Sequence, residues 1–167
     1  MTRQPPPLVA VFLGTDHHRF DRVLTWVGRL QEQGLFRFHV QHGATPPPSW
    51  LTGAPLLGPA ALTELLDRAD AVVTHGGPGS IMDARGRGHL PVVVPRDPRL
   101  GEHVDDHQQR FARFLARTGL IVTAYDEQEL AARLSLAVLT GRGIRAAHRT
   151  SPTLARFEAL ADELVHR

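Results

Sequence analysis

Residues 69–97, ADAVVTHGGPGSIMDARGRGHLPVVVPRD, place two short apolar runs on either side of a glycine-rich turn and a helical stretch. The runs, Ala71 to Thr74 and Pro91 to Val94, lack polar alternation, which is how a strand covered on both faces reads. Between them Pro78 has the fixed backbone angle of a first helical position, and Ile81, Met82 and Asp83 continue the helix. Strand, turn, helix and strand make one βαβ unit, whose sheet is parallel.

The same alternation extends in both directions. Upstream, a strand over Leu8 to Leu13 precedes a helix carrying Phe20, Val23, Leu24, Val27 and Leu30 at three- and four-residue spacing, ended by Gly34. A second strand, Phe36 to Val40, runs into Gln41, His42 and Gly43. The proline-rich ATPPPSW segment then reads as a surface loop with no order-giving motif. A short strand near Pro55 to Leu57 leads to a helix with Leu62, Leu65 and Leu66. Downstream come a helix from about Glu102 to Arg117, a strand over Leu120 to Thr123, and a helix with Leu130, Leu134 and Val138. After a break at Gly141 to Gly143, Pro152 starts a last helix. The expected fold is α/β, a doubly wound parallel sheet of Rossmann-like type, and 167 residues suit one domain, 1–167.

Composition narrows the chemistry. There is no cysteine, which removes disulfides, thiolate metal sites and a thiol nucleophile. All 19 basic residues are arginine, so a Walker-type lysine, a Schiff base and a lysine base are excluded. The formal charge of +2 is spread among acids without basic, aromatic-studded stretches, and no nucleic acid partner is expected. No apolar run approaches the roughly 20 residues of a membrane span, and the N-terminal MTRQPPPLVAVFLG does not read as a secretory signal. A cytoplasmic location is the expectation.

The turn His75, Gly76, Gly77, Pro78, Gly79, Ser80 is laid out as a phosphate cradle. Glycines admit close approach, and free amides at a helix N-terminus attract anions. The bland alternative is a tight strand-to-helix turn. Position favours the first reading, because open α/β sheets bind ligands at the carboxyl ends of their strands. The first strand ends in Gly14 and Thr15 rather than a dinucleotide fingerprint, which disfavours NAD. Asp83 is expected on the first turn of the helix, either to accept hydrogen bonds from ribose hydroxyls or to complement the helix dipole. A second polar cluster, GEHVDDHQQ, is read as a helix start whose Asp105, His107 and Gln108 suit the hydroxyls of a sugar. His103 and His107, four apart on that helix with Asp106 nearby, are a weak rival metal reading; HxxxH lacks the zinc-protease glutamate, and neither metal nor cofactor is expected.

These two motifs, ADAVVTHGGPGSIMDARGRGHLPVVVPRD and GEHVDDHQQ, resemble the C-terminal domain of family 28 glycosyltransferases. FLGTDHHRFDRVLTWV and VQHG extend the resemblance towards small donor-binding subunits of two-chain transferases, bacterial exopolysaccharide enzymes among them. The resemblance implies the C-terminal half of a GT-B enzyme that binds a UDP-sugar. Gly76, Gly77, Gly79 and Ser80 would then cradle the diphosphate with help from Gly14 and Thr15. Asp83 would hold the ribose, His107 and Gln108 would face the sugar, and the loop near Leu57 would meet uracil. It further implies a membrane-associated, acceptor-binding partner subunit that brings a lipid-linked acceptor, with residues 150–167 as the docking helix and a peripheral membrane location through that partner. A homodimer is the alternative for the free chain. His17, His18 and His75 are the candidates for a general base. Two departures are the Asp at the ribose position, where the peptidoglycan member carries Glu, and an extra residue between Gly88 and Pro91. The acceptor-binding half is not in this sequence. The alternative function is a noncatalytic UDP-sugar-binding module; a UDP-sugar 2-epimerase is disfavoured by length.

Overall fold

The computed structural model describes residues 4–148 and residue 159. Six strands form one sheet: β1 (Leu8–Phe12), β2 (Arg37–Gln41), β3 (Gly53–Ala54), β4 (Ala71–Thr74), β5 (Val92–Val93) and β6 (Val122–Thr123). Every pairing is parallel, in the order β3-β2-β1-β4-β5-β6. The helices are α1 (Asp21–Glu32), α2 (Pro59–Arg68), α3 (Pro78–Gly86), α4 (His107–Arg117) and α5 (Glu127–His148).

The apolar runs are continuous because both sheet faces are covered. Val9, Val11 and Leu13 pack with Val23, Val27 and Leu30 of α1 on one face. Leu8, Ala10 and Phe12 pack with Leu65 and Leu66 of α2 on the other. Ile81 of α3 joins Ala112 and Leu115 of α4 under Val93 in a third cluster. A buried side chain of this kind contributes about 1.5–3 kcal/mol, so the doubly covered strand β1 is the anchor of the domain.

The strand order reverses at β1. From it, β2 and β3 lie on one side, whereas β4, β5 and β6 lie on the other. The crevice between the carboxyl ends of β1 and β4 is therefore the topological switch point, where ligands of open α/β sheets sit.

Three expectations shift. The strand foreseen near Pro55 to Leu57 is Gly53–Ala54, paired with Val40 and Gln41. The proline-rich loop is anchored: Phe20 N–H donates to Thr45 Oγ1 at 3.0 Å, and the Trp50 ring lies over Gly28. The helix foreseen from Glu102 begins only at His107, preceded by a 3-10 turn at Pro98–Leu100. The glycine break is real, as Gly141 leaves helical geometry within α5 (φ 50°, ψ −147°). The helix expected from Pro152 lies outside the described residues.

Candidate functional site at the switch point

The loop after β4 is organised by His75, at the strand end where its N–H donates to Phe12 O at 2.9 Å. Gly77 N–H donates to His75 Nδ1 at 3.1 Å, which fixes the lone pair on that nitrogen and leaves the proton on Nε2. Nε2 is then the donor to Ser80 Oγ at 3.2 Å. The Ser80 hydroxyl accepts this bond and keeps its own proton to donate. Gln108, 4% exposed, completes the floor. Its Oε1 accepts from Gly76 N–H at 3.1 Å and Arg96 N–H at 3.2 Å, and its Nε2 lies 3.3 Å from His75 Nδ1.

These bonds divide the expected cradle. The Gly76 and Gly77 amides turn inward to Gln108 and His75, and these glycines are required by packing. A Cβ at Gly77 would come within 2.1 Å of His75 Cε1, and one at Gly76 within 2.8 Å of Gln108 Cβ. Gly14, at φ +82°, is held against the other side of the His75 ring. The amides of Gly79 and Ser80 belong to the first turn of α3 and have no intrahelical acceptor. Gly79 faces open space, with no atom within 4 Å of a would-be Cβ. Two amides and the Ser80 hydroxyl lie at the positive end of the α3 dipole, an arrangement chemically suited to an anion.

Contacts and burial hold the His75 imidazole neutral. Burial, aided by the nearby Arg96 charge, pushes its pKa from 6.5 down to about 4. The unfolded chain takes up the proton near pH 6.5, whereas the folded chain resists until about pH 4. Stability is therefore complete above pH ~6.5 and declines as the pH falls towards 4, by on the order of 2–3 kcal/mol. His39 and His103, both lowered by burial, act in the same direction. Urea titrations at pH 7.5 and 4.5 measure the decline, and a His75→Gln chain is expected to show a shallower pH dependence.

The other sequence candidates are distributed around this floor. Asp83 is the sixth residue of α3, on its second turn rather than its first, exposed and with no carboxylate partner among the described residues. Partial burial raises its pKa. Thr15 is exposed beside Gly14. Leu57 packs against the α2 cluster, and its N–H donates to Gln41 Oε1 at 2.8 Å. His17 is 84% exposed at its side chain, and His18 is bonded through Nδ1 to Asp16 Oδ1 at 2.5 Å. His107 is exposed and bonded to Asp105. Gln108 is a buried tether whose carbonyl oxygen accepts from two backbone amides.

Sequence reasoning missed the arginine network beneath the loops. Arg96, 1% exposed, donates from Nη1 to His18 O at 2.8 Å and Glu102 O at 2.9 Å, and from Nη2 to Leu13 O at 2.6 Å. Its guanidinium lies 4.9 Å from the Phe20 ring centroid. Arg22 grips Glu102 through two bonds of 3.0 and 2.8 Å, and Glu102 also accepts from Asp97 N–H. The loop after β1 and the loop before α4 are thereby fixed to one another. The available signal was an arginine placed directly after a buried strand.

Fold and switch point together define a Rossmann-like α/β domain with the architecture of the C-terminal half of a GT-B glycosyltransferase. The chain belongs to the glycosyltransferase family 28 C-terminal domain family, whose model matches residues 60–164. The calicheamicin glycosyltransferase CalG4 superimposes with a TM-score of 0.65 at 16% identity, over 99% of this chain and 43% of its own. MurG of Acinetobacter baumannii gives 0.56 at 17% identity, over 99% of this chain and 51% of its own. ALG13 gives 0.52 at 17% identity, over 81% of this chain and 87% of its own. The chain thus spans about half or less of CalG4 and MurG. No curated protein matches the sequence.

Proposed function

We propose that this chain is the donor-binding portion of a glycosyltransferase that holds a nucleoside-diphosphate sugar, of the UDP class, for transfer to an acceptor bound by a second polypeptide. The observation that carries this reading is the pair of amides, Gly79 and Ser80, at the N-terminus of α3 in the switch-point crevice, which have no partner among the described residues. The rhamnosyltransferase SpnG, similar in fold at a TM-score of 0.54, was solved with thymidine diphosphate, a ligand of the same chemistry. The acceptor-binding partner is part of this proposal, and the fold shared with CalG4, MurG and ALG13 is compatible with it. Leu100 and Val104, exposed apolar side chains on the loop before α4, suit closure by such a partner. A membrane-associated partner with a lipid-linked acceptor, in exopolysaccharide or envelope glycan synthesis, is the setting we propose.

In the reaction the acceptor hydroxyl attacks the anomeric carbon and the bond from that carbon to the diphosphate oxygen breaks. Negative charge grows on the departing diphosphate, where the Gly79 and Ser80 amides, the Ser80 hydroxyl and the α3 dipole stabilise it. Exposed Asp83 on α3 would accept from ribose hydroxyls. The acceptor proton goes to a base other than His75, whose Nδ1 is occupied and whose imidazole is a poor proton acceptor near neutral pH. His17, His18 and the partner are the remaining sources.

Calorimetric titration with UDP, TDP, UDP-glucose, UDP-glucuronic acid and UDP-N-acetylglucosamine tests the donor class. Binding of UDP and one UDP-sugar more tightly than TDP is expected. Preference for TDP removes the UDP assignment, and binding of no nucleotide removes the donor-binding role of this chain. Binding with no transfer once the acceptor-binding polypeptide is supplied would favour the noncatalytic module.

A further inference from the structure

Beside the anion-binding turn, the loops after β1 and before α4 bring together four imidazoles and two carboxylates in an unbroken series. His17 and His18 have ring centroids 4.1 Å apart, His18 and His103 6.0 Å, and His103 and His107 4.7 Å. The donor role proposed above uses none of the contacts among them.

Local structure explains the approach of His107. Asp105 Oδ1 accepts the His107 N–H at 3.0 Å and is also bonded to the His107 ring at Nδ1, an Asx turn closed by its own histidine. His103 is held more deeply, with 11% of its side chain exposed. Its Nδ1 accepts from Asp105 N–H at 3.4 Å, so this nitrogen carries a lone pair, and it lies 3.7 Å from Asp105 Oδ1. Its Nε2 lies 3.8 Å from Asp16 Oδ2. A carboxylate behind one ring nitrogen while the other faces a ligand set is the arrangement that orients metal-binding histidines.

The donor atoms of His103, Asp105 and His107 all lie within 4.8 Å of one another. An ion with bonds of about 2.0–2.2 Å holds its ligand atoms roughly 3–4 Å apart, so small side-chain rotations close the set. We propose that His103, Asp105 and His107 bind one divalent transition-metal ion of the zinc class, with Asp16 orienting His103. Two imidazole nitrogens and one carboxylate oxygen select zinc, nickel or cobalt over magnesium, which prefers oxygen. On uptake the proton shared by His107 and Asp105 leaves to solvent. The ion secures the loop before α4 and, through Asp16, the loop after β1. This proposal departs from the sequence expectation of no metal. The spacing argument put His103 and His107 on one helix face, whereas the helix starts at His107, the carboxylate between them is Asp105, and Asp106 pairs with Arg110.

The test is titration of the full-length, tag-free chain with zinc chloride by calorimetry and thermal unfolding, with magnesium chloride as control. One equivalent of zinc bound at micromolar affinity or tighter, a raised melting temperature and no magnesium response are expected. His103→Ala and His107→Ala each weaken zinc about 10-fold or more, and Asp16→Asn weakens it while leaving His103 in place. Circular dichroism establishes that each variant is folded, and His103→Gln substitutes where the alanine variant is not. No zinc binding by the wild type, or an affinity unchanged by His103→Ala or His103→Gln, overturns the site. UDP binding is read in the same preparations, so failure of the metal site is distinguishable from failure of the donor reading.

Discussion

A Gly79→Leu chain loses nucleoside-diphosphate binding by about 100-fold or more while its unfolding midpoint stays at or above that of the wild type. The two effects separate because of what surrounds the residue. Among the described residues, no atom outside its chain neighbours and its own helix backbone lies within 4 Å of a Cβ at Gly79, so a side chain there starts out into open space. Leucine is also the better helix former, by up to ~1 kcal/mol in a helix interior. The same side chain projects over the open amides of Gly79 and Ser80, where a diphosphate has to approach the backbone. Gly77→Ala behaves in the opposite way. Its Cβ collides with the His75 ring, and the fold loses stability before binding can be examined. Calorimetry with UDP, together with urea unfolding of both variants, checks the contrast. Unaltered binding by a folded Gly79→Leu chain would show that this glycine serves the turn and no ligand.

The second large effect falls on stability. Arg96→Ala is expected to cost about 3–5 kcal/mol, because it deletes a buried charge whose hydrogen bonds satisfy the carbonyls of Leu13, His18 and Glu102 and leaves a cavity under Phe20. For a domain of this size the melting temperature falls by roughly 10 °C or more. The control is Arg99→Ala on the same loop. That side chain is 82% exposed in its pair with Asp97, and its removal is expected to cost no more than about 1 kcal/mol. Similar losses in both variants would mean that Arg96 carries no special share of the loop architecture.

The fold was legible where burial alone dictates the pattern. Val9 to Phe12 and Ala71 to Thr74 are covered on both sheet faces and read directly as strands, and Val23, Val27 and Leu30 of α1 fall on one stripe. Gly53–Ala54 was misplaced because a two-residue edge strand has no periodicity to read. The start of α4 was misplaced because Glu102 and Asp105 are equally at home in a first helical turn and in a loop; a tertiary bond from Arg22 to Glu102 and the local turn between Asp105 and His107 decide for the loop. The site was legible as a place. Which amides stay free was not, because it depends on where the His75 and Gln108 side chains turn, and those come from different strands and helices. Arg96 offered only its position after a buried strand; its partners lie on the loop after β1 and the loop before α4, and the sequence does not name them.

The most direct measurement follows the backbone amides of the isotope-labelled chain by NMR as UDP is added. Saturable shifts largest at Gly79 and Ser80, with Gly76 and Gly77 little moved because their N–H groups remain bonded to Gln108 and His75, are the expected result. Saturable shifts centred elsewhere on the molecule, with Gly79 and Ser80 unchanged, would contradict the account.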